Sequence, residues 1–120
     1  MLKLNHKKLE ACKPAIIHVK DIYALTIIFP KEEQLGLTSQ LKPACVSAAS
    51  NIAEGSAGNS PAERKRFFEI AGSSVVEIDR QFEIIVALEI VKLENLEEIN
   101  SQLNQIFAML SSLIKSQIPS

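Results

Sequence analysis

The sequence has few of the residues that mark specialised classes of protein. Its 120 residues include no Trp, one Tyr, two Cys and four Gly. Cys12 and Cys45 form no CxxC pair and lack a metal-ligand spacing to either histidine, which argues against a disulfide scaffold and a zinc site. The glycines lack the spacing of phosphate and dinucleotide loops. We therefore expect reduced thiols, no bound cofactor and no metal.

An excess of one charge sign and a long apolar run are missing as well. The chain carries 13 basic and 14 acidic residues, so no bulk positive field draws it to nucleic acid or anionic lipid. No apolar run reaches the roughly 18 residues that a membrane span needs. The Lys-rich start Met1–Lys8 is not followed by a signal-like apolar region. We expect a cytoplasmic protein with no membrane contact.

The groups that most often carry catalysis form no pattern. His18 stands between Val19 and Lys20 without a motif around it. Glu77 and Asp79 are two residues apart on a predicted helix, so their carboxylates point to different faces. We therefore expect no catalytic residue and a chain that is not an enzyme.

Four segments show the three-and-four apolar spacing of helices, and none shows the alternation of a strand. Helix one is predicted over Leu9–Phe29, and helix two runs from an N-cap at Thr38 to Gly55. Helix three begins with Ser60 as N-cap, Pro61 and Glu63, and it ends near Leu88; helix four runs from an N-cap at Asn95 to about Gln117. The expected fold class is all-α, an antiparallel up-down four-helix bundle. It occupies residues 9–117, between a flexible N-terminal segment 1–8 and a C-terminal tail 118–120.

Helices one and three are apolar around more of their circumference than one core requires. In helix one we expect the core stripe to be Ile16, Val19, Tyr23 and Ile27. The apolar residues off this stripe are Ile17, Ile22, Leu25 and Ile28. In helix three the expected core stripe begins at Phe67, and a second strip contains Phe68, Gly72 and Val76. The surplus predicts a second buried contact, and hence a homo-oligomer.

A short basic run and one acidic residue are candidates for binding. Arg64, Lys65 and Arg66 lie in the first turns of helix three, where free N–H groups can also receive phosphate. A solvated charged face is the alternative explanation, because neighbouring glutamates dilute the run. Glu54 lies near the C-terminal end of helix two, where a negative charge opposes the macrodipole. It therefore needs a partner. The partner is a salt bridge or a loop hydrogen bond within the chain, with Arg64 or Arg66 as the basic candidates, or else a bound ligand or nucleic acid.

Three ordered motifs, Gly36–Leu41, Ser50–Gly55 and Arg66–Ala71, together with the later polar positions of helix three, carry a family resemblance. They resemble the bacterial four helix bundle protein family, also called 23S ribosomal RNA intervening-sequence proteins. The resemblance covers about Leu9 to Leu113. The polar motif residues, to which it assigns no role, are Asn51, Glu54, Glu77 and Gln81.

The resemblance implies a bundle that assembles as a homopentamer, which accounts for the surplus apolar faces. Similar proteins include accessory proteins of diversity-generating retroelements, which associate with nucleic acid and a reverse transcriptase. This chain departs from the pattern in two places. Lys42-Pro43 stands where relatives often carry paired basic residues, and Gly72 replaces a glycine usually aligned at Ser73. The missing basic residue weakens the inference of nucleic-acid binding.

Two hypotheses of function remain. In the first, a non-enzymatic oligomeric binding or scaffold protein contacts RNA, DNA or a nucleic-acid-processing enzyme through a ring of basic residues. The candidate contacts are Lys42, Arg64, Lys65, Arg66 and Arg80. In the alternative, the chain is a protein-protein interaction or assembly module without nucleic-acid binding, which the balanced charge and apolar faces favour.

Overall fold

The computed structural model describes residues 6–119, with side chains from Glu10 onward. Its four helices are α1 (His6–Ile27), α2 (Leu37–Ala57), α3 (Pro61–Ala87) and α4 (Glu97–Ser116). Two 3-10 turns, Lys31–Glu33 and Leu93–Asn95, lie in the connections before α2 and α4. The structure is 84% helical with no strand among the described residues. The predicted all-α four-helix bundle is therefore confirmed.

The ends of the chain are only partly described. Residues 1–5 of the predicted flexible segment 1–8, and Ser120 of the predicted tail 118–120, lie outside the described residues. Helix α1 begins at His6, before the predicted start at Leu9.

The start signal of α3 is confirmed at the level of single hydrogen bonds. The backbone N–H of Glu63 donates to the Ser60 hydroxyl at 3.1 Å, and Pro61 occupies the first helical position. The Glu63 carboxylate accepts from the backbone N–H of Asn59 at 3.0 Å, one residue before the usual capping-box donor. These bonds fix where the α2–α3 turn ends.

The predicted caps of α2 and α4 are wrong. Helix α2 has Gly36 as its N-cap, and Thr38 lies buried within the first turn. Helix α4 has Leu96 at the N-cap without a side-chain cap, while Asn95 ends the preceding 3-10 turn. Leu96 is only 2% exposed. Burial of a leucine is worth about 1.5–3 kcal/mol, which exceeds the roughly 1 kcal/mol of a typical cap.

Gly55 does not end α2, contrary to the sequence-based prediction. The helix continues to Ala57, and none of the glycines has a positive φ. Gly55 is buried, and a Cβ placed there would lie 2.6 Å from the Phe68 ring. The residue is therefore a glycine because α3 packs closely against α2 at this point.

The core of α1 is not the face expected from the sequence. Ile16 and Ile27 are 59% and 81% exposed, and Tyr23 is exposed as well. The buried stripe of α1 is instead Cys12, Ala15, His18, Ile22 and Leu25, and Phe29, just after the helix, is buried as well. In α3 the core stripe is as predicted from Ala71 to Ile85, but Phe68 rather than Phe67 fills its first position. Ala53 of α2, also expected inside, is exposed.

Contacts between helices establish the topology. Ser47 pairs with Ser74 and Gln40 with Gln81, so α2 and α3 run antiparallel. Helix α4 runs back along α3, since the end of α4 meets the start of α3. It also packs on α1, where the Gln102 amide donates to the Asp21 carboxylate at 2.7 Å. The four helices thus enclose one core.

Candidate functional surfaces

Arg64, the first residue of the basic run, is engaged within the chain. Its Nε donates to Oε1 of Gln117 at 2.8 Å, and its guanidinium also donates to the carbonyl of Gly58 at 3.1 Å. These bonds hold the end of α4 and the α2–α3 turn against the start of α3. Replacement of Arg64 would therefore disturb the fold as well as the binding of any partner.

Three further basic candidates are spread over two helices, Lys42 on α2 and Arg66 and Arg80 on α3. Arg66 is exposed, with its guanidinium 5.3 Å from the Phe67 ring centroid. Lys42 holds its Nζ 4.7 Å from the ring centroid of Tyr23 on α1. Arg80 is exposed and lies about 21 Å along α3 from Arg66. One copy of the chain does not gather these charges into a patch.

Polar side chains, among them the motif residue Gln81, join α2 to α3 along a line that we call the α2–α3 seam. Gln81 donates from Nε2 to Oε1 of Gln40 at 2.7 Å, and the Ser74 hydroxyl donates to the Ser47 hydroxyl at 3.0 Å. Asn51 donates to the backbone carbonyl of Ser47 at 2.8 Å. The seam therefore sets the pairing register of the two helices by hydrogen bonds.

The register of the seam also locates Glu54, one of the two motif glutamates. Each step toward the end of α2 is matched by a step toward the start of α3, which places Glu54 opposite Phe67. Glu54 and Glu77 are both exposed. In the described part of the chain no hydrogen bond or ion pair joins Glu54 to Arg64 or Arg66, so the predicted pairing is not formed.

Gln81 is the least satisfied member of the seam. The residue is only 7% exposed, and its Oε1 has no hydrogen-bond partner among the described residues. A buried polar atom left unpaired costs about 1–3 kcal/mol. The hydrogen bond from Gln81 to the side-chain amide of Gln40 is therefore the one polar contact between the described helices at this end of the seam.

The candidate titratable groups are buried and poorly suited to catalysis. Burial lowers the pKa of His18, and the backbone of Ile99 and the charge of Asp21 offset this only in part. The His18 ring lies edge-on to Phe82, with centroids 6.4 Å apart. Burial also raises the pKa of Cys45 to about 11, so its thiol stays protonated at neutral pH. Neither group is presented to a substrate.

Metal-ligand clusters and membrane-spanning helices are both absent from the described residues. Among them, no group of three or more His, Cys, Asp or Glu side chains is arranged to hold a metal ion. No helix over the same residues has the length and apolar character needed to cross a bilayer.

The outer side of α1 is the surface that sequence reasoning assigned wrongly. The exposed apolar residues there and just after the end of the helix, which we call the α1 strip, are Ile16, Ile17, Tyr23, Ile27 and Ile28. The signal was present in the sequence as two apolar stripes on one helix. Periodicity alone does not say which of two stripes faces the core, because both have helical spacing.

These features define a small all-α four-helix bundle with an exposed apolar strip on α1 and a hydrogen-bonded seam between α2 and α3. The chain belongs to the 23S rRNA-intervening sequence protein family, whose model matches residues 7–112. The family resemblance read from the motifs is thereby confirmed.

A solved structure shows the same fold. It is the crystal structure of a protein of unknown function from the S23 ribosomal protein family of Bacteroides thetaiotaomicron, with 23% sequence identity. The match has a TM-score of 0.82 and covers 91% of this chain and 98% of that chain. At this identity the likeness establishes the fold alone. No curated protein matches the chain.

Proposed function

We propose that this chain is a non-enzymatic interaction and assembly protein that associates with further copies of itself through the α1 strip. The observation that carries the proposal is the exposure of Ile16, Ile17, Tyr23 and Ile27 on α1 and of Ile28 just after it. Several large apolar side chains exposed on one element mark interaction sites on soluble proteins. The homopentamer implied by the family resemblance is part of the proposal.

The size of the strip supports self-association. Burial of one exposed isoleucine contributes about 1.5–3 kcal/mol. Association costs an estimated 4–15 kcal/mol in lost motion. The strip contains four isoleucines that are 52–81% exposed and one tyrosine, so its burial against a different surface of the neighbouring copy, as a closed ring of five requires, is of the size needed to offset the lower part of that cost.

The non-enzymatic part of the proposal rests on the state of the candidate reactive groups. Cys45 is a buried, protonated thiol, and His18 is a buried neutral imidazole. The two free cysteines also agree with the reducing cytoplasm that we expect for this protein.

Light scattering of purified protein tests self-association. A charge at Ile27, the most exposed residue of the strip, should shift the mass toward the monomer, so we expect Ile27→Glu and Ile16→Glu to dissociate the oligomer. The matched control is Ile84→Glu, an exposed isoleucine on α3. A monomeric wild-type protein, or an unchanged mass for both α1 variants, would contradict the proposal.

Nucleic-acid contact is the second candidate function, favoured by the exposed guanidinium groups of Arg66 and Arg80 on one side of α3. Glu69 and Glu77 lie between them and reduce the local field, so the contact requires several copies to line up their basic groups.

Fluorescence anisotropy with generic RNA and DNA at two salt concentrations tests this candidate. Binding that weakens with salt, and that Arg66→Gln with Arg80→Gln reduces, would support it. Arg64 stays unchanged in this experiment because its side chain holds the fold. The absence of binding at low salt would leave the protein-only module as the function.

A further inference from the structure

A groove runs between α3 and α4, on other helices than the α1 strip. It consists of two adjoining depressions of about 480 and 230 Å³ that share Asp79. The two span α3 from Val75 to Ala87, which is about 18 Å of helix. We call them together the α3–α4 groove. Its length suits about three turns of a bound helix.

The apolar side chains of the groove are available to a partner. Val76 and Val86 of α3 are partly exposed, Leu93 is 62% exposed, and Phe107 of α4 is 48% exposed. Phe82 and Leu96 lie buried at the floor. A half-exposed phenylalanine beside branched aliphatic side chains is typical of the anchor regions of protein interfaces. The groove therefore offers the apolar half of a helix-binding site.

The charged side chains of the groove all have one sign. Asp79 and Glu83 lie one turn apart on α3, and Glu97 stands in the first turn of α4. All three are exposed, and the described residues give none of them a hydrogen bond or an ion pair. Among the described residues that line the two depressions, none is Lys or Arg. A chain of near-neutral total charge thus concentrates unpaired carboxylates around an apolar groove.

We propose that the α3–α4 groove binds a basic amphipathic helix of a partner protein. Apolar side chains spaced three and four apart would contact Val76, Val86, Leu93 and Phe107. Lys or Arg residues on the flanks of that helix would pair with the three carboxylates. Complementary charge of this kind steers encounter and fixes orientation more than it adds affinity. The α1 strip lies on a different helix, so variants of the strip and of the groove can be tested separately.

A designed peptide pair provides the direct test. One fluorescein-labelled helical peptide of about 14 residues carries Leu at three-and-four spacing and Lys elsewhere; the matched peptide carries Glu in place of each Lys. Anisotropy titration of the full chain should show binding of the Lys peptide at low salt, weaker binding at physiological salt, and none of the Glu peptide. No binding of the Lys peptide, or equal binding of both, would overturn the proposal.

Charge variants distinguish binding at the α3–α4 groove from non-specific attraction of the basic peptide to acidic residues elsewhere on the surface. Exposed ion pairs are each worth about 0.2–1 kcal/mol, so the triple change Asp79→Asn, Glu83→Gln, Glu97→Gln should weaken the Lys peptide about tenfold. The control makes the same change of charge elsewhere, at Glu32, Glu54 and Glu69, all of them exposed. An equal effect of the two triple variants would overturn the assignment of the site.

A variant of an exposed apolar side chain of the groove completes the design. Phe107→Ser should weaken the peptide by about tenfold or more, since truncation of an interface aromatic commonly has this effect. Ile27→Ser, on the α1 strip, should leave peptide binding within about twofold. Light scattering of Phe107→Ser should give the wild-type mass. A fall in its mass would show that a second copy already covers the groove, and would replace the proposal with a subunit interface.

Discussion

Gly55 is the position where the packing of α2 on α3 can be tested most directly. A Cβ there would lie 2.6 Å and 2.7 Å from two carbons of the Phe68 ring and 3.1 Å from a third. Phe68 is only 2% exposed, so a shift of its ring disturbs the close packing of the core. Gly72, inside α3, has nothing within 4 Å of the same virtual atom. The two glycines therefore form a matched pair that differs in crowding.

The expected free energies follow from this difference. Overpacking a core costs about 1–3 kcal/mol, and replacing a helical Gly with Ala contributes about 0.5–1 kcal/mol in the other direction. Gly55→Ala should therefore lower the free energy of unfolding by about 1–2 kcal/mol. Gly72→Ala should raise it by about 0.5–1 kcal/mol. For a chain of this length, 1 kcal/mol corresponds to roughly 4 °C in Tm.

Urea and thermal unfolding at one fixed protein concentration measure both variants, because self-association would make stability depend on concentration. Phe68→Leu provides a second test in a double-mutant cycle. A smaller side chain at 68 should remove most of the cost of Gly55→Ala, and the coupling between the two changes should be about 1 kcal/mol. A Gly55→Ala protein as stable as Gly72→Ala, or strictly additive effects in the cycle, would refute the close approach.

Two further predictions concern the end of α3 and the buried histidine. Glu89, just after α3, has a φ of 53°, and the N–H of Ile90 donates to the carbonyl of Ile85 to close the helix end. Because a positive φ strains a residue with a Cβ, Glu89→Gly should stabilise the protein by about 1 kcal/mol. In urea unfolding, Glu89→Ala serves as its charge-only control, and an equal gain from Ala would contradict relief of backbone strain. The pKa of His18 is lowered from 6.5 by burial, so the unfolded chain binds its proton first. The stability due to neutral His18 is therefore present above pH 6.5 and lost as the pH falls below it. The unfolding free energy of His18→Met, measured from pH 7.5 to pH 5, should fall less steeply than that of the wild type, and parallel curves would count against a buried neutral imidazole.

The candidate surfaces could be predicted from the sequence to different degrees. The basic run could be recognised in the sequence. The hydrogen bonds of Arg64 to Gly58 and Gln117 could not, because they depend on how the α2–α3 turn and the end of α4 meet. The acidic groove was not predicted at all. Its members come from α3, α4 and their connection, and only the pairing of those helices brings Asp79, Glu83 and Glu97 together.

The sequence by itself determined the number of helices, the antiparallel order and the start of α3, because these follow from local spacing, short connections and the Ser60 cap. The tertiary structure decided the rest. Helix α1 carries two apolar stripes of equal period, and burial against α2 and α4 selected the one through Ile22 and left Ile16 and Ile27 outside. Gly55 likewise has the appearance of a helix stop until Phe68 is placed against it. In both cases the deciding energy is packing between residues distant in sequence, which no local pattern contains.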